Sequence, residues 1–331
     1  MVITVDIGAT KTVMAQAGEA NGAVSLDAIA RFEGRRYRTF ESVVEEYLRG
    51  TRAADISGLY IGAAGVVADN RCEITYLDWT IDGAALRDRF GIGTVTVMND
   101  LEAAGHGLDF IPATAFRSIN AGKTTPRGTR VLISPGTGLG MSIVADCGGR
   151  FVPLPSEGGH AGFAPFDGRT RRLWDFARRT CPRVRLEDFL SGSGFGLLYR
   201  FLASESGVEI PEDISAALSD DPGPAVTVLA DEKRDSLAIA TVALFLDILA
   251  DAAGDLALTG MSFGGVFIGG GIVPRIAGHI HNDRFMAVFS DKGVHRPRLQ
   301  AMPVAVVMDP LLPLYGAAGY GLISKKAPGE F

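Results

Sequence analysis

The stretch Met1-Val2-Ile3-Thr4-Val5-Asp6-Ile7-Gly8-Ala9-Thr10-Lys11 decides the reading of this chain. Its β-branched run, Val2–Val5, reads as a strand, and the acid, glycine and threonine behind it read as a tight turn. Such a turn brings backbone N–H groups and a hydroxyl toward phosphate while a carboxylate waits for a metal. Taken alone, Asp-x-Gly-x-Thr is equally an ordinary hairpin. A second turn of the same kind lies at Ser134-Pro135-Gly136-Thr137-Gly138-Leu139-Gly140, behind the apolar run Val131–Ser134. Two glycine–threonine turns, each following a strand, point to duplicated lobes with a nucleotide held between them.

Outward from these turns, strands alternate with helices. Thr12–Ala17, Val24–Phe32, Gly58–Ala64, Thr94–Met98, Gly264–Ile268 and Val304–Met308 read as strands. Phe40–Arg49 has helical spacing, with Phe40, Val43, Val44 and Leu48 on one face. A helix starts at Asp100, capped by Asn99 or Asp100. Ser236–Leu258 is a long apolar core helix, and Pro313–Leu322 a closing one. The run of arginines from Arg169 to Arg185 reads as a solvated helix face or a polyanion site. Ala121–Arg130 reads as a loop, and Glu205–Pro224, acidic and proline-bearing, as a surface connection. The class is α/β.

The chain has 331 residues, enough for two domains; 47% are hydrophobic and 21% charged, which excludes global disorder. The formal net charge of −6 argues against nucleic acid as a partner. Cys72, Cys147 and Cys181 form no Cys-x-x-Cys pair, so neither a disulfide framework nor a cysteine zinc site is indicated. No uncharged apolar run reaches about 18 residues and no signal peptide is evident, so a soluble, cytoplasmic protein with no membrane partner is expected.

Four places carry candidate chemistry. Asn99-Asp100 ends a buried strand, where ligands gather in α/β folds. Asp100 reads as a general base or as a helix cap, and the two are compatible. Ser156-Glu157-Gly158-Gly159-His160 sets an acid and an imidazole around two glycines, suited to a polyhydroxyl substrate; a metal site and a plain surface turn are the rival readings. Gly136-Thr137-Gly138 can offer N–H groups and a hydroxyl to phosphate, or form a hairpin turn. Gly269-Gly270-Gly271 follows a strand and precedes a helix with Pro274 in its first turn, and can floor a base or ribose. Glu187 has no local signal and reads as a surface acid.

Together these residues resemble the bacterial glucokinases of the hexokinase and actin-like ATPase superfamily. The resemblance rests on Asp6-Ile7-Gly8-Ala9-Thr10, Asn99-Asp100-Leu101-Glu102, Gly136 through Gly140, and Leu154-Pro155-x-Glu157-Gly158-Gly159-His160 with Phe163-Ala164-Pro165. It continues through Glu187 with Leu190-Ser191-Gly192 and Leu198-Tyr199-Arg200, Gly264 through Arg275, and Asp291-Lys292-Gly293. These occur in the family's order over nearly the whole chain. The resemblance implies a two-lobed actin-like ATPase (ribonuclease H-like) fold with a cleft between lobes, of residues 1–110 plus 311–331 and 111–310. It implies ATP-dependent phosphorylation of D-glucose to glucose 6-phosphate, a step of glycolysis, with ATP and Mg2+ as cofactors and a homodimer as the assembly. By the same resemblance Asp100 is the catalytic base, and Asn99, Glu157, His160 and Glu187 hold the sugar. Asp6, Gly8, Ala9, Thr10, Lys11, Gly136, Thr137 and Gly138 embrace the phosphates and Mg2+, with Asp6 acting on the metal through water. Gly269, Gly270 and Gly271 face the adenosine.

Three positions depart from the family's pattern. Ala9 stands where glycine is usual, which would cost about 1–2 kcal/mol if φ were positive there. Lys11 is similar to the start of the related repressor, open-reading-frame and kinase family, whose cysteine-rich zinc motif this chain lacks. Tyr76 stands where asparagine is usual near the sugar. A kinase for another hexose (mannose, glucosamine or fructose) and a non-catalytic sugar sensor are the alternatives. With Asp6 so near the first residue, the N-terminal DNA-binding domain of such sensors is not expected.

Overall fold

The computed structural model describes residues 1–9, 11–20, 23–51, 55–74, 77–233 and 235–324; Thr10 and Tyr76 lie outside the described residues. Contacts divide the chain into two compact units. The first is Met1–Ala115, Arg150–Pro155 and Asp309–Phe331; the second is Phe116–Gly149 and Ser156–Met308. The short segment Arg150–Pro155, placed by the sequence reading in the larger domain, thus groups with the first unit.

The first unit begins with β1 (Val2–Ile7), β2 (Lys11–Ala20), β3 (Ala23–Glu33), α1 (Phe40–Tyr47) and β4 (Gly58–Ala63). It continues with β5 (Val67–Ala68), β6 (Arg71–Ile74), β7 (Trp79–Asp82), α2 (Gly83–Phe90), β8 (Val95–Asn99) and α3 (Asp100–Gly107). Its main sheet runs β3-β2-β1-β4-β8. β1 pairs antiparallel with β2 and parallel with β4, and β4 pairs parallel with β8. The register sets Ile7, Ala63 and Asn99 level at the carboxyl ends of three parallel strands, the edge where open α/β sheets bind ligands. Ile3, Val5, Ile7, Leu59, Ile61 and Val97 point into one core with Phe40, Val43 and Leu86.

The second unit holds β9 (Phe116–Asn120), β10 (Arg130–Pro135), β11 (Leu139–Cys147), α4 (Gly168–Ala177), α5 (Gly194–Ser206), α6 (Glu212–Asp220), α7 (Pro222–Asp231) and α8 (Ser236–Gly260). It then adds β13 (Gly265–Ile268), α9 (Val273–Ile276), α10 (Asn282–Phe289), α11 (Arg296–Gln300) and β14 (Val304–Val307). β12 (Arg150–Leu154) and α12 (Leu312–Ser324) return to the first unit. The second sheet contains β11-β10-β13-β14-β9 in that order. β10 pairs antiparallel with β11 and parallel with β13, and β13 pairs parallel with β14. This repeats the hairpin-then-parallel pattern of β2-β1-β4-β8, and in each sheet the hairpin carries one glycine–threonine turn.

Glu205–Pro224, read from the sequence as a surface connection, instead contains α6 and the start of α7. Proline at the first positions of α7 costs no hydrogen bond, and buried Leu218, Val226 and Ala230 anchor both helices. The basic run also differs from a single helix face: α4 ends at Ala177, and Arg185 lies beyond it, bridged to Gly162. Among the described residues α8 is the one helix long and apolar enough to cross a membrane. It is instead the centre of the second core, where Phe245 stacks on Phe195 at 4.5 Å.

Candidate active site

The first group of candidate residues stands at the carboxyl edge of the first sheet. The turn after β1 is closed by the Gly8 N–H donating to the Lys11 carbonyl at 3.0 Å. Ala9 is not among the described residues with positive φ, so the strain that its methyl group would cause in that conformation does not arise. β8 delivers Asn99 as the cap of α3. Its Oδ1 accepts the Leu101 N–H at 2.9 Å, Glu102 returns a bond to the Asn99 N–H, and Asn99 Nδ2 donates to the Gly65 carbonyl at 3.0 Å. This capping box contributes roughly 1 kcal/mol, and it fixes the residue that follows. Asp100 Oδ1 accepts the same Leu101 N–H at 2.8 Å.

Gly62 makes this approach possible, because a Cβ there would lie 3.0 Å from Ala103 Cβ and 3.6 Å from Asp100 Cα. The result brings two acids into one field. Burial, and behind it the charge of Asp100, push the Asp6 carboxyl up to about 7. Two like-charged carboxylates in partly buried surroundings favour a cation or a proton. Among the described residues no group of three or more His, Cys, Asp or Glu could hold a metal by itself. One or two carboxylates are nevertheless the protein share of a magnesium site completed by phosphates and water, so Asp6 and Asp100 fit that ion.

The second group lies wholly in the second unit. The turn Gly136-Thr137-Gly138 joins β10 to β11 and is closed by the Gly136 N–H donating to the Gly138 carbonyl at 2.8 Å. It is thus both a hairpin turn and a cluster of small residues at a strand end. Beside it, Gly270 has φ of +84° and sits so close that a Cβ would be 2.2 Å from the Pro135 carbonyl oxygen. Only glycine fits there. The triple-glycine turn therefore abuts the base of the Gly136 turn.

Glu157 precedes and His160 ends a short 3-10 turn, Gly158–His160. Gly159 packs on β11 so tightly that a Cβ would meet the Leu139 carbonyl oxygen at 1.9 Å. The Glu187 N–H donates to the Gly159 carbonyl at 3.0 Å, and the Gly192 N–H to the Gly136 carbonyl at 2.9 Å. These bonds bring Glu187, which has no local signature, onto the His160 turn. Its Oε1 is 3.8 Å from His160 Nδ1, and its Oε2 accepts the Leu139 N–H at 2.9 Å. Glu157 Oε2 is 3.7 Å from His160 Nε2. Three segments distant in sequence thus converge on two carboxylates and an imidazole, the donor and acceptor set that a polyhydroxyl ligand needs. Sequence reasoning missed Arg185 and Asp188, which join the same cluster. Their one signal is their spacing around Glu187, which a run of arginines obscures.

The sequence profile of the Glucokinase family matches residues 3–322. A glucokinase of Nostoc punctiforme is 31% identical over 329 residues, covering 95% of this chain and 96% of that protein. The chain belongs to the glucokinase family. Its fold agrees with a glucokinase from an Antarctic psychrotroph, with a TM-score of 0.85 at 26% identity, covering 96% of this chain and 98% of that one. A ROK family glucokinase from Streptomyces griseus, solved with glucose and AMPPNP, matches with a TM-score of 0.64 at 20% identity, covering 96% and 98%. The fold of this glucokinase-family chain is accordingly the two-lobed actin-like ATPase fold.

Proposed function

We propose that this protein is an ATP-dependent glucokinase that phosphorylates the 6-hydroxyl of D-glucose, with Asp100 as general base. The observation that carries the proposal is Asp100 on the first turn of α3, beside Asp6. Membership of the glucokinase family supports the substrate. Asn99, Glu157, His160 and Glu187 hold the sugar hydroxyls. Asp100 takes the proton of the 6-hydroxyl as that oxygen bonds to the γ-phosphorus, and the bond from the γ-phosphorus to the bridging oxygen breaks to release ADP. The N–H groups and hydroxyls of the turns at Gly8–Lys11, Thr10 included, and at Gly136–Gly138 orient the phosphates, and Gly269–Gly271 lines the adenosine. Asp6 would hold magnesium through water, and the ion would supply neutralisation of phosphate charge. Positioning and oriented dipoles account for most of the rate in this class of reaction.

An ADP-release assay with Mg-ATP and a panel of hexoses, with a no-sugar control, tests the reading. Preference for glucose is expected. Turnover only with mannose, glucosamine or fructose would keep the mechanism and change the substrate. Sugar binding with no sugar-dependent turnover would replace the kinase with a sensor.

A further inference from the structure

We propose that Arg185 is a positioning residue that holds His160 in the neutral tautomer carrying its proton on Nε2. The inference rests on the reading of His160 as a sugar-binding residue. Arg185 Nη1 lies 3.1 Å from His160 Nδ1. A guanidinium only donates and stays charged. The imidazole atom facing it must therefore present a lone pair, and in a neutral ring that leaves the proton on the other nitrogen. A protonated ring would set N–H against N–H at this contact.

Arg185 is itself held. Its Nη2 donates to Asp188 Oδ1 at 2.7 Å, and its own backbone N–H donates to Asp188 Oδ2 at 2.8 Å. The Asp188 side chain is only 11% exposed, so this pair is shielded on the carboxylate side. The backbone bridge between Gly162 and Arg185 fixes the segment against the stretch following His160. The other charged groups facing the ring are acceptors: Glu157 toward Nε2 at 3.7 Å and Glu187 toward Nδ1 at 3.8 Å. Glu187 is braced by the Leu139 N–H, and its Oε1 is 3.9 Å from Arg185 Nη1. The consequence is directional. His160 Nε2–H can only donate to a sugar hydroxyl, and the two carboxylates can only accept, so each hydroxyl in this cluster has its orientation imposed.

Long-range proton–nitrogen correlation spectra of the 15N-labelled full chain test this directly. The chain has five histidines, and the His160 signals are those lost in His160→Asn. In the wild type at pH 8, Nε2 is expected protonated and Nδ1 bare. In Arg185→Met the two nitrogen shifts should move toward their average, with sugar KM raised about tenfold and kcat within about twofold. Arg185→Lys should fall between, since it keeps a cationic donor without the planar fork. In the His160→Asn background, Arg185→Met should change KM less than about twofold. A protonated Nδ1 in the wild type overturns the proposal, as does an equal effect of Arg185→Met with and without His160. The wild-type spectrum decides even if Arg185→Met fails to fold. If His160→Asn leaves sugar KM unchanged while the tautomer is as stated, the sugar-site reading fails and the hold on the ring stands.

Discussion

The two glycine turns sit at equivalent places in the two sheets, yet they carry different chemistry. The turn after β1 follows an acid, Asp6, whose neighbour Asp100 arrives on the adjacent helix. The turn after β10 follows Ser134 and Pro135 and has no acid of its own. It takes one from elsewhere, since the Leu139 N–H at its exit holds Glu187. One hairpin thus stands beside two acids that share a field, while its counterpart braces a single carboxylate, Glu187, with a backbone N–H. Duplicated topology sets the two turns at like positions, and the side chains brought to each strand end set them apart.

Asp100→Asn should break the comparison most sharply. It is expected to lower kcat by about 10³-fold while the sugar Kd changes less than about threefold, because the amide keeps hydrogen bonds but is a poor base. Glu187→Gln in the second unit should do the reverse, raising sugar Kd with a smaller effect on kcat. Steady-state kinetics with a binding isotherm separate the two; near-wild-type turnover in Asp100→Asn would remove that residue from its role.

Asp6→Asn should stabilise the ligand-free protein at pH 8 while abolishing most activity. The Asp6 pKa is raised in the folded state, so stability is highest below the unfolded value and is lost as pH rises through about 7. Removing the charge should return up to about 4 kcal/mol, read as a higher melting temperature. An unchanged or lower value would show that no such strain exists in the ligand-free state.

His106, at the far end of α3, predicts an opposite dependence. Burial, with the nearby Arg150 charge next, lowers it to about 4, so the folded state keeps it neutral. Between about 6.5 and 4 the unfolded chain binds the extra proton, and stability should fall by up to about 3 kcal/mol as pH drops through that window. His106 packs on Tyr320 of α12 at 5.2 Å, so His106→Gln should flatten the acid limb of a denaturation series. An unchanged limb would refute the assignment.

The smallest effect concerns the second turn alone. A Cβ at Gly138 would stand 2.5 Å from Glu187 Oε2, whereas at Gly136 the nearest atom is 4.0 Å away. Gly138→Ala should therefore raise sugar KM about three- to tenfold by displacing the carboxylate, and Gly136→Ala should leave sugar KM nearly alone. Equal effects of the two substitutions on sugar KM would mean that the turn does not position Glu187.

Much of this was written locally. The strand and turn at Val2–Lys11, the cap at Asn99 and the apolar length of α8 depend on neighbours within a few residues, where hydrophobic periodicity and capping chemistry act. α6 and α7 were illegible because each is short and amphipathic around a few buried residues, with prolines that mark a helix start as readily as a loop. Glu187 carried no local signal and was named through the family resemblance alone. Arg185 and Asp188 were not read as part of a site, because the contacts that gather them with Leu139, Gly159 and His160 span tens of residues and form only once β11 and the His160 turn have packed together. The elevated pKa of Asp6 likewise comes from burial and a second acid that the chain supplies 94 positions later. The sequence by itself determined the turns, the caps and the family. The tertiary structure alone decided which acids share a field and which nitrogen of His160 faces a guanidinium, because electrostatics and hydrogen bonding act through space while sequence patterns report only nearby positions.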